Sequence, residues 1–117
     1  MSSLRMSAEP TRIEGRAPNG WLVSGRLHRP ALLVTVDLVQ SLGPLTLDNL
    51  DAALLPPMEA VDLLLLGTGE TMQRPPSGFI ESARRVGLRV EAMDSPAAAR
   101  TFNILVAEQR RVAALLL

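Results

Sequence analysis

An α/β domain is the fold class that this sequence predicts, and three observations predict it. The apolar run Val61 to Leu66 ends in Gly67 and reads as a strand buried on both faces. From there to Leu117 the chain alternates apolar strand, polar loop and helix, the order that builds a parallel sheet with helical crossovers. The first third carries β-prone runs separated by turn residues, which predicts antiparallel strands joined to that unit.

Residues 1–10 combine Ser, Met and Pro without period and are expected to form a disordered leader, leaving 11–117 as a single domain. Thr11 to Gly15 predicts a short edge strand closed by Gly15, and Pro18-Asn19-Gly20 is a turn signal before Trp21 to Gly25, so a hairpin is expected. Arg26 to Pro30 continues into Ala31 to Val36, a further β-rich run that Asp37 ends. Between Gly43 and Pro57, Thr46 or Asp48 would cap a short helical turn through Leu50, Ala53 and Leu54, stopped by Pro56-Pro57.

The Val61 to Leu66 strand is expected at the centre of the sheet. Pro75-Pro76-Ser77 then opens a helix with Phe79, Ile80, Ala83 and Val86 on one face and Gly87 as its stop. Leu88 to Ala92 alternates apolar and charged residues, as a strand nearer an edge does. Ser95 as N-cap and Pro96 as first helical residue begin a second helix running to about Gln109. Its apolar stripe is drawn through Ala98, Phe102, Leu105 and Gln109, widened by Ile104 and Val106. Val112 to Leu116 closes the β-α-β-α-β half.

Composition removes whole classes of chemistry. The 12 basic and 12 acidic residues cancel, so no bulk field recruits nucleic acid. Every basic residue is Arg, which excludes a Schiff-base or P-loop lysine. There is no Cys, hence no disulfide, thiolate nucleophile or Cys-based metal site. His28 is the sole imidazole, so one chain cannot assemble a multi-His metal site, and no metal or other cofactor is expected. The longest apolar runs are strand-sized, so no membrane span is expected, and without a secretory core at its start the chain reads as cytoplasmic.

The polar residues worth testing sit at the strand-to-helix junctions. Gly67-Thr68-Gly69-Glu70 follows a buried strand, where glycine lets backbone amides approach an anion. The full G-x-G-x-x-G is absent, and a tight turn fits the same residues equally well. Asp94 and Ser95 precede the second helix, but the Asp94 charge would repel an anion there, so capping is the favoured role. Arg100, Thr101 and Asn103 lie close together early in that helix and can reach back toward the Gly67 turn; a solvated face or a structural hydrogen bond is their alternative. No catalytic residue is assigned.

With those pieces placed, the ordered blocks Leu66-Gly67-Thr68-Gly69, Met93-Asp94-Ser95, Ala99 to Leu105, Glu108 and Arg111 to Leu116 resemble a small family of Mth938-like domains, DUF498. That family includes the mitochondrial respiratory complex I assembly factor 3 and many short bacterial proteins. The resemblance implies a three-layer α/β domain with a mixed central sheet and an N-terminal antiparallel β portion, and a family without established enzymatic activity. It aligns the family's Arg-Thr-Tyr-Asn block with Arg100, Thr101, Phe102 and Asn103, so this chain has Phe where Tyr is usual and no phenolic donor there.

Two readings of function result. The first is a non-catalytic binding or assembly-type domain with a protein partner. The alternative is a protein that binds a small anionic ligand, or an enzyme acting on one, through Gly67 to Glu70 with Arg100 and Asn103. Nucleic acid is not an expected partner. Oligomeric state is open, because a strand such as Arg12 to Glu14 can pair in trans as readily as within the chain.

Overall fold

The computed structural model describes residues 11–52, 55 and 58–117. The expected leader, and Ala53, Leu54, Pro56 and Pro57 of the expected helical turn, lie outside them. What is described of that turn is a single 3-10 turn, Leu47–Asn49, entered through Thr46, whose amide donates to Asn49 Oδ1 at 2.8 Å.

Strand β1 (Ile13–Ala17) passes through Pro18-Asn19 into β2 (Gly20–Val23), the hairpin that the turn signal predicts. Gly15 lies within β1 at a bulge instead of closing it: Ile13 faces Val23 while Gly15 already faces Leu22. Ser24 and Gly25, with φ of 47° and 85°, connect β2 to β3 (Arg26–His28). Two successive positive φ values match the right-handed twist of the strands that they join. The expected continuous run from Arg26 to Val36 is divided. Its first part, β3, completes a three-stranded sheet, while β4 (Leu32–Val34) joins a second sheet. Pro30 lies in the break, where its missing amide donor cannot serve a ladder. Strand β5 (Val39–Ser41), which the sequence reading did not anticipate, folds back on β4. It follows a turn in which Thr35 N donates to Leu38 O and Thr35 Oγ1 to Asp37 Oδ1.

The second sheet has five strands in the order β5-β4-β8-β6-β7, with β6 (Leu63–Gly67), β7 (Arg89–Met93) and β8 (Val112–Leu116) mutually parallel and β4 antiparallel to β8. The middle place belongs to β8, not to β6 as expected; β6 is interior between β8 and β7. Both are buried at all five positions, because each face of the sheet is covered. On one face Leu63, Leu65, Val112 and Ala114 pack with Ala98 and Phe102 and with Ile13, Trp21 and Val23 of the small sheet. On the other, Leu64, Leu66, Ala113 and Leu115 pack with Phe79 and Ala83. The period of two along each strand therefore feeds two separate cores, the three-layer arrangement that the resemblance implied. Each fully buried Leu contributes about 1.5–3 kcal/mol.

Helix α1 (Ser77–Arg85) buries Phe79 and Ala83, but Val86 is 78% exposed because the helix has already ended. Gly87, at φ 82°, reverses the chain: its amide donates to Arg84 O and that of Leu88 to Ala83 O, both at 3.0 Å. Both bonds use carbonyls of the last helical turn, and Leu88 packs in the same cluster as Ala83. Helix α2 (Ser95–Ala107) begins one residue earlier than predicted. Asp94 is its N-cap, accepting from Ala97 N at 2.7 Å, with Ser95 and Pro96 inside the first turn. It ends before Gln109, which takes φ 61°. The buried face is Ser95, Ala98, Ala99, Phe102 and Val106. Of the expected stripe, Ala98, Phe102 and Val106 are buried and Leu105 packs against the same cluster, whereas Ile104 is 58% exposed and Gln109, past the helix end, faces solvent.

Candidate functional site

The loops leaving β6 and β7 start from adjacent parallel strands and lead to helices on opposite faces, the geometry at which α/β sheets commonly open a ligand crevice. Here hydrogen bonds close that place. Thr68 N donates to Met93 O at 2.9 Å, Gly69 N to Ser95 Oγ at 2.9 Å, and Ser95 N to Gly69 O at 2.7 Å. The Ser95 hydroxyl, fully buried, donates onward to Leu117 O at 3.3 Å, and Leu117 N donates to Gly67 O at 3.1 Å. Steric fit tightens the same junction. A Cβ on Gly67 would stand 2.7 Å from Ser95 Oγ and 2.8 Å from Ser95 Cα. The second of these is backbone, so only glycine lets α2 start against the end of β6.

Each residue of the expected Gly67 to Glu70 cradle can thus be placed. Gly67 is a packing glycine, and Gly69 supplies a positive φ of 109° in open space. Thr68 is 4% exposed, and its hydroxyl donates to Thr71 O at 2.8 Å while accepting from Gln73 N at 3.0 Å, which holds the loop folded. The amides of Thr68 and Gly69 are both committed to protein acceptors, and Glu70 is exposed.

The residues on α2 face a different surface. Asn103 Oδ1 accepts from Ile13 N at 2.9 Å and its Nδ2 donates to Ile13 O at 2.6 Å, so one carboxamide pairs with both backbone groups of a strand residue and closes the free edge of β1 there. Thr101 Oγ1 donates to Met93 Sδ at 3.7 Å. Arg100 is exposed. It and Asn103, with Pro96 and Ala99, form one wall of an open groove of about 310 Å³; the other walls come from residues 12–16 and Trp21, and the Gly67 turn does not contribute.

That groove is basic. Arg12, Arg16 and Arg100 line it, and none of the three guanidiniums joins an ion pair among the described residues. Glu14, the carboxylate in the lining, accepts from Gly25 N at 2.5 Å. The Arg16 guanidinium lies 5.5 Å from the centroid of the Trp21 ring, a cation–π contact worth about 0.5–1 kcal/mol where exposed. Trp21 is 2% exposed, and its Nε1 is buried without a hydrogen-bond partner among the described residues. Arg12, Arg16 and Trp21 were missed as site residues because they come from the far end of the sequence; the alternation Arg12-Glu14-Arg16 along one strand was the available signal.

Arg111 lies outside that groove, just before β8. It makes a bidentate pair with Asp62 at 2.9 and 3.0 Å, tying the approach to β8 to the approach to β6. With both side chains 63% exposed the pair is worth at most about 1 kcal/mol. A second cavity, of about 430 Å³, lies at that end of the sheet between Val36, Val61, Val106 and Val112. Among the described residues no cluster of His, Asp or Glu is arranged to hold a metal ion, and no helix is long and apolar enough to cross a membrane.

Comparison with known proteins agrees with this geometry. A family model described as "Protein of unknown function (DUF498/DUF598)" matches residues 13–117. An uncharacterized protein of Rhodobacter capsulatus is 37% identical over 106 residues, covering 90% of this chain and 82% of that protein. The NADH dehydrogenase [ubiquinone] 1 alpha subcomplex assembly factor 3 of Xenopus tropicalis is 31% identical; the match covers 97% of this chain, which spans 64% of that relative's length. A solved Mth938-like domain from Bordetella pertussis superposes with a TM-score of 0.76 at 25% identity, covering 97% of this chain and 92% of that one.

Two substitutions test the roles given above. Gly67→Ala should destabilise the protein by about 2 kcal/mol or more in urea unfolding, because the new Cβ meets backbone; an unchanged midpoint would show that α2 yields freely. Asn103→Ala should cost about 1–3 kcal/mol and speed hydrogen exchange at the Ile13 amide while leaving the β6 and β8 amides protected. Equal protection at Ile13 in both proteins would refute the edge-closing role.

Proposed function

We propose, from the premise that the chain belongs to the DUF498 family, that it acts as a non-catalytic protein-binding domain of the assembly type. The observation that carries this reading is the relationship over 97% of the chain to proteins named as assembly factors. Two features of the chain support it. The polar groups at the usual ligand crevice are occupied in holding strands, loop and helix together, and Phe102, fully buried, brings no hydroxyl to the Arg100-to-Asn103 block. The unspent chemistry lies on the outside: the basic groove, and Leu22 and Leu27, paired across β2 and β3 and 39% and 53% exposed. On this reading the partner is a protein that the chain holds during assembly of a larger complex.

The test is co-purification from the chain's own cells. The tagged full chain should elute by size exclusion with another protein at fixed stoichiometry, and tagging that protein should recover the chain. Elution of the chain as free protein under every growth condition would refute the reading.

The second reading, a small anionic ligand at Gly67 to Glu70 with Arg100 and Asn103, keeps only its Arg100 part, because the Gly67 turn lies outside that groove and its amides are committed; one observation favours it there, the Arg100 guanidinium, which joins no ion pair among the described residues. Inorganic phosphate or succinate should then raise the melting temperature of the wild type and not that of Arg100→Ala. No rise with either anion sets that reading aside.

A further inference from the structure

We propose that the groove between β1 and α2 is a docking site for an extended acidic segment of a partner protein, held by Arg12, Arg16 and Arg100. The proposal rests on the protein-binding reading above and deepens it by naming the surface and the chemistry of the segment. Charge complementarity carries it. The chain has formal net charge +0, yet three guanidiniums without ion-pair partners among the described residues line one groove. The carboxylate among them is already accepting from Gly25 N. Arg84, Arg89 and Arg111 each have an acidic partner within 4.0 Å, whereas Arg26, Arg29, Arg74, Arg85 and Arg110 join no ion pair among the described residues; what sets the groove apart is that three guanidiniums line one concavity.

Geometry selects the form of the ligand. Arg12 continues β1 through reciprocal bonds with Ser24, and the bulge between Ile13 and Gly15 separates it from Arg16, so the two stand closer than the ~13 Å of four regular strand steps. Arg100 stands on the opposite wall. One carboxylate engages one or two guanidiniums. An extended segment with acidic residues at alternate positions, repeating every ~6.7 Å, presents a carboxylate to each. Recognition is through side chains, because Asn103 already occupies the backbone groups of Ile13 that an added strand would need. Trp21 is 2% exposed and offers no face on which a base could stack, which sets the groove apart from a single-stranded nucleic-acid platform.

The sequence supplies the reporter. Trp21 is the only Trp and there is no Tyr, so intrinsic fluorescence reads this groove alone. The full chain is titrated with a hexapeptide alternating Glu and Leu, with its Gln and Leu counterpart, with inorganic phosphate and with oligothymidylate. The Glu peptide should change Trp21 emission and the Gln peptide should not. Its affinity should fall as NaCl rises from about 0.1 M to about 1 M, over which the screening length shrinks from ~10 Å to ~3 Å. Arg16→Glu with Arg100→Glu should weaken it about tenfold or more, whereas Arg85→Glu, on α1, should not. Equal binding of both peptides, stronger binding of phosphate or oligothymidylate, or an unchanged double variant overturns the proposal. Arg16→Glu gives up the contact with Trp21, so the double variant should melt a few degrees below the wild type while remaining folded, which circular dichroism checks. A partner identified by co-purification separates the two readings. If the double variant retains it, the groove is not its site and the protein-binding reading stands; if the folded double variant loses it, both stand.

Discussion

The contact between Gly67 and Ser95 is the constraint on which the rest of the structure depends. A helix that starts directly on the end of a buried strand needs that strand to finish without a side chain, and the 2.8 Å between a hypothetical Cβ and the Ser95 Cα leaves no alternative. Ser95 then does what a longer side chain could not: its hydroxyl accepts from Gly69 N and donates to Leu117 O, joining the β6 loop, the α2 start and the end of β8 at one buried atom. The usual ligand crevice of an α/β sheet has become a structural joint.

That joint sets the position of α2, and α2 in turn carries the small sheet. Phe102, fully buried, seals the helix to the five-stranded sheet, and Asn103, the next residue, turns about 100° around the helix to hold Ile13. A helix residue facing a core and its neighbour facing a strand edge is why Phe and Asn stand side by side here. The consequence is a groove along the line where β1 passes α2, flanked by arginines from both. The arginine-lined groove is thus a by-product of the way the fold is closed.

Within each face of the sheet, side-chain size does the fitting. Ala113 and Ala114 lie on the middle strand opposite Leu64 and Leu65 of β6, so at those two positions large and small residues sit side by side across parallel strands in register. Such pairing lets large and small side chains fit together on both faces of the sheet.

Much of this was legible in the sequence because it depends on short-range periodicity. The two-faced β6, the edge alternation of β7, the glycine stop of α1 at Gly87 and the proline near the start of α2 all follow from spacing and from backbone chemistry local to a few residues. Strand β5, the split of the Arg26 to Val36 run, the middle place of β8 and the exposure of Ile104 on α2 were not legible. Each is decided by which distant segment an element meets, and hydrophobic pattern alone is degenerate about that. The same division holds for the candidate residues. The sequence determined that Gly67, Ser95 and Asn103 would be special, since their types are costly or unusual where they stand. Only the tertiary structure decided that they hold the fold together and that Arg100 faces Arg12 and Arg16 instead of the Gly67 turn, because hydrogen-bond partners and surface neighbours are set by packing between segments some ninety residues apart.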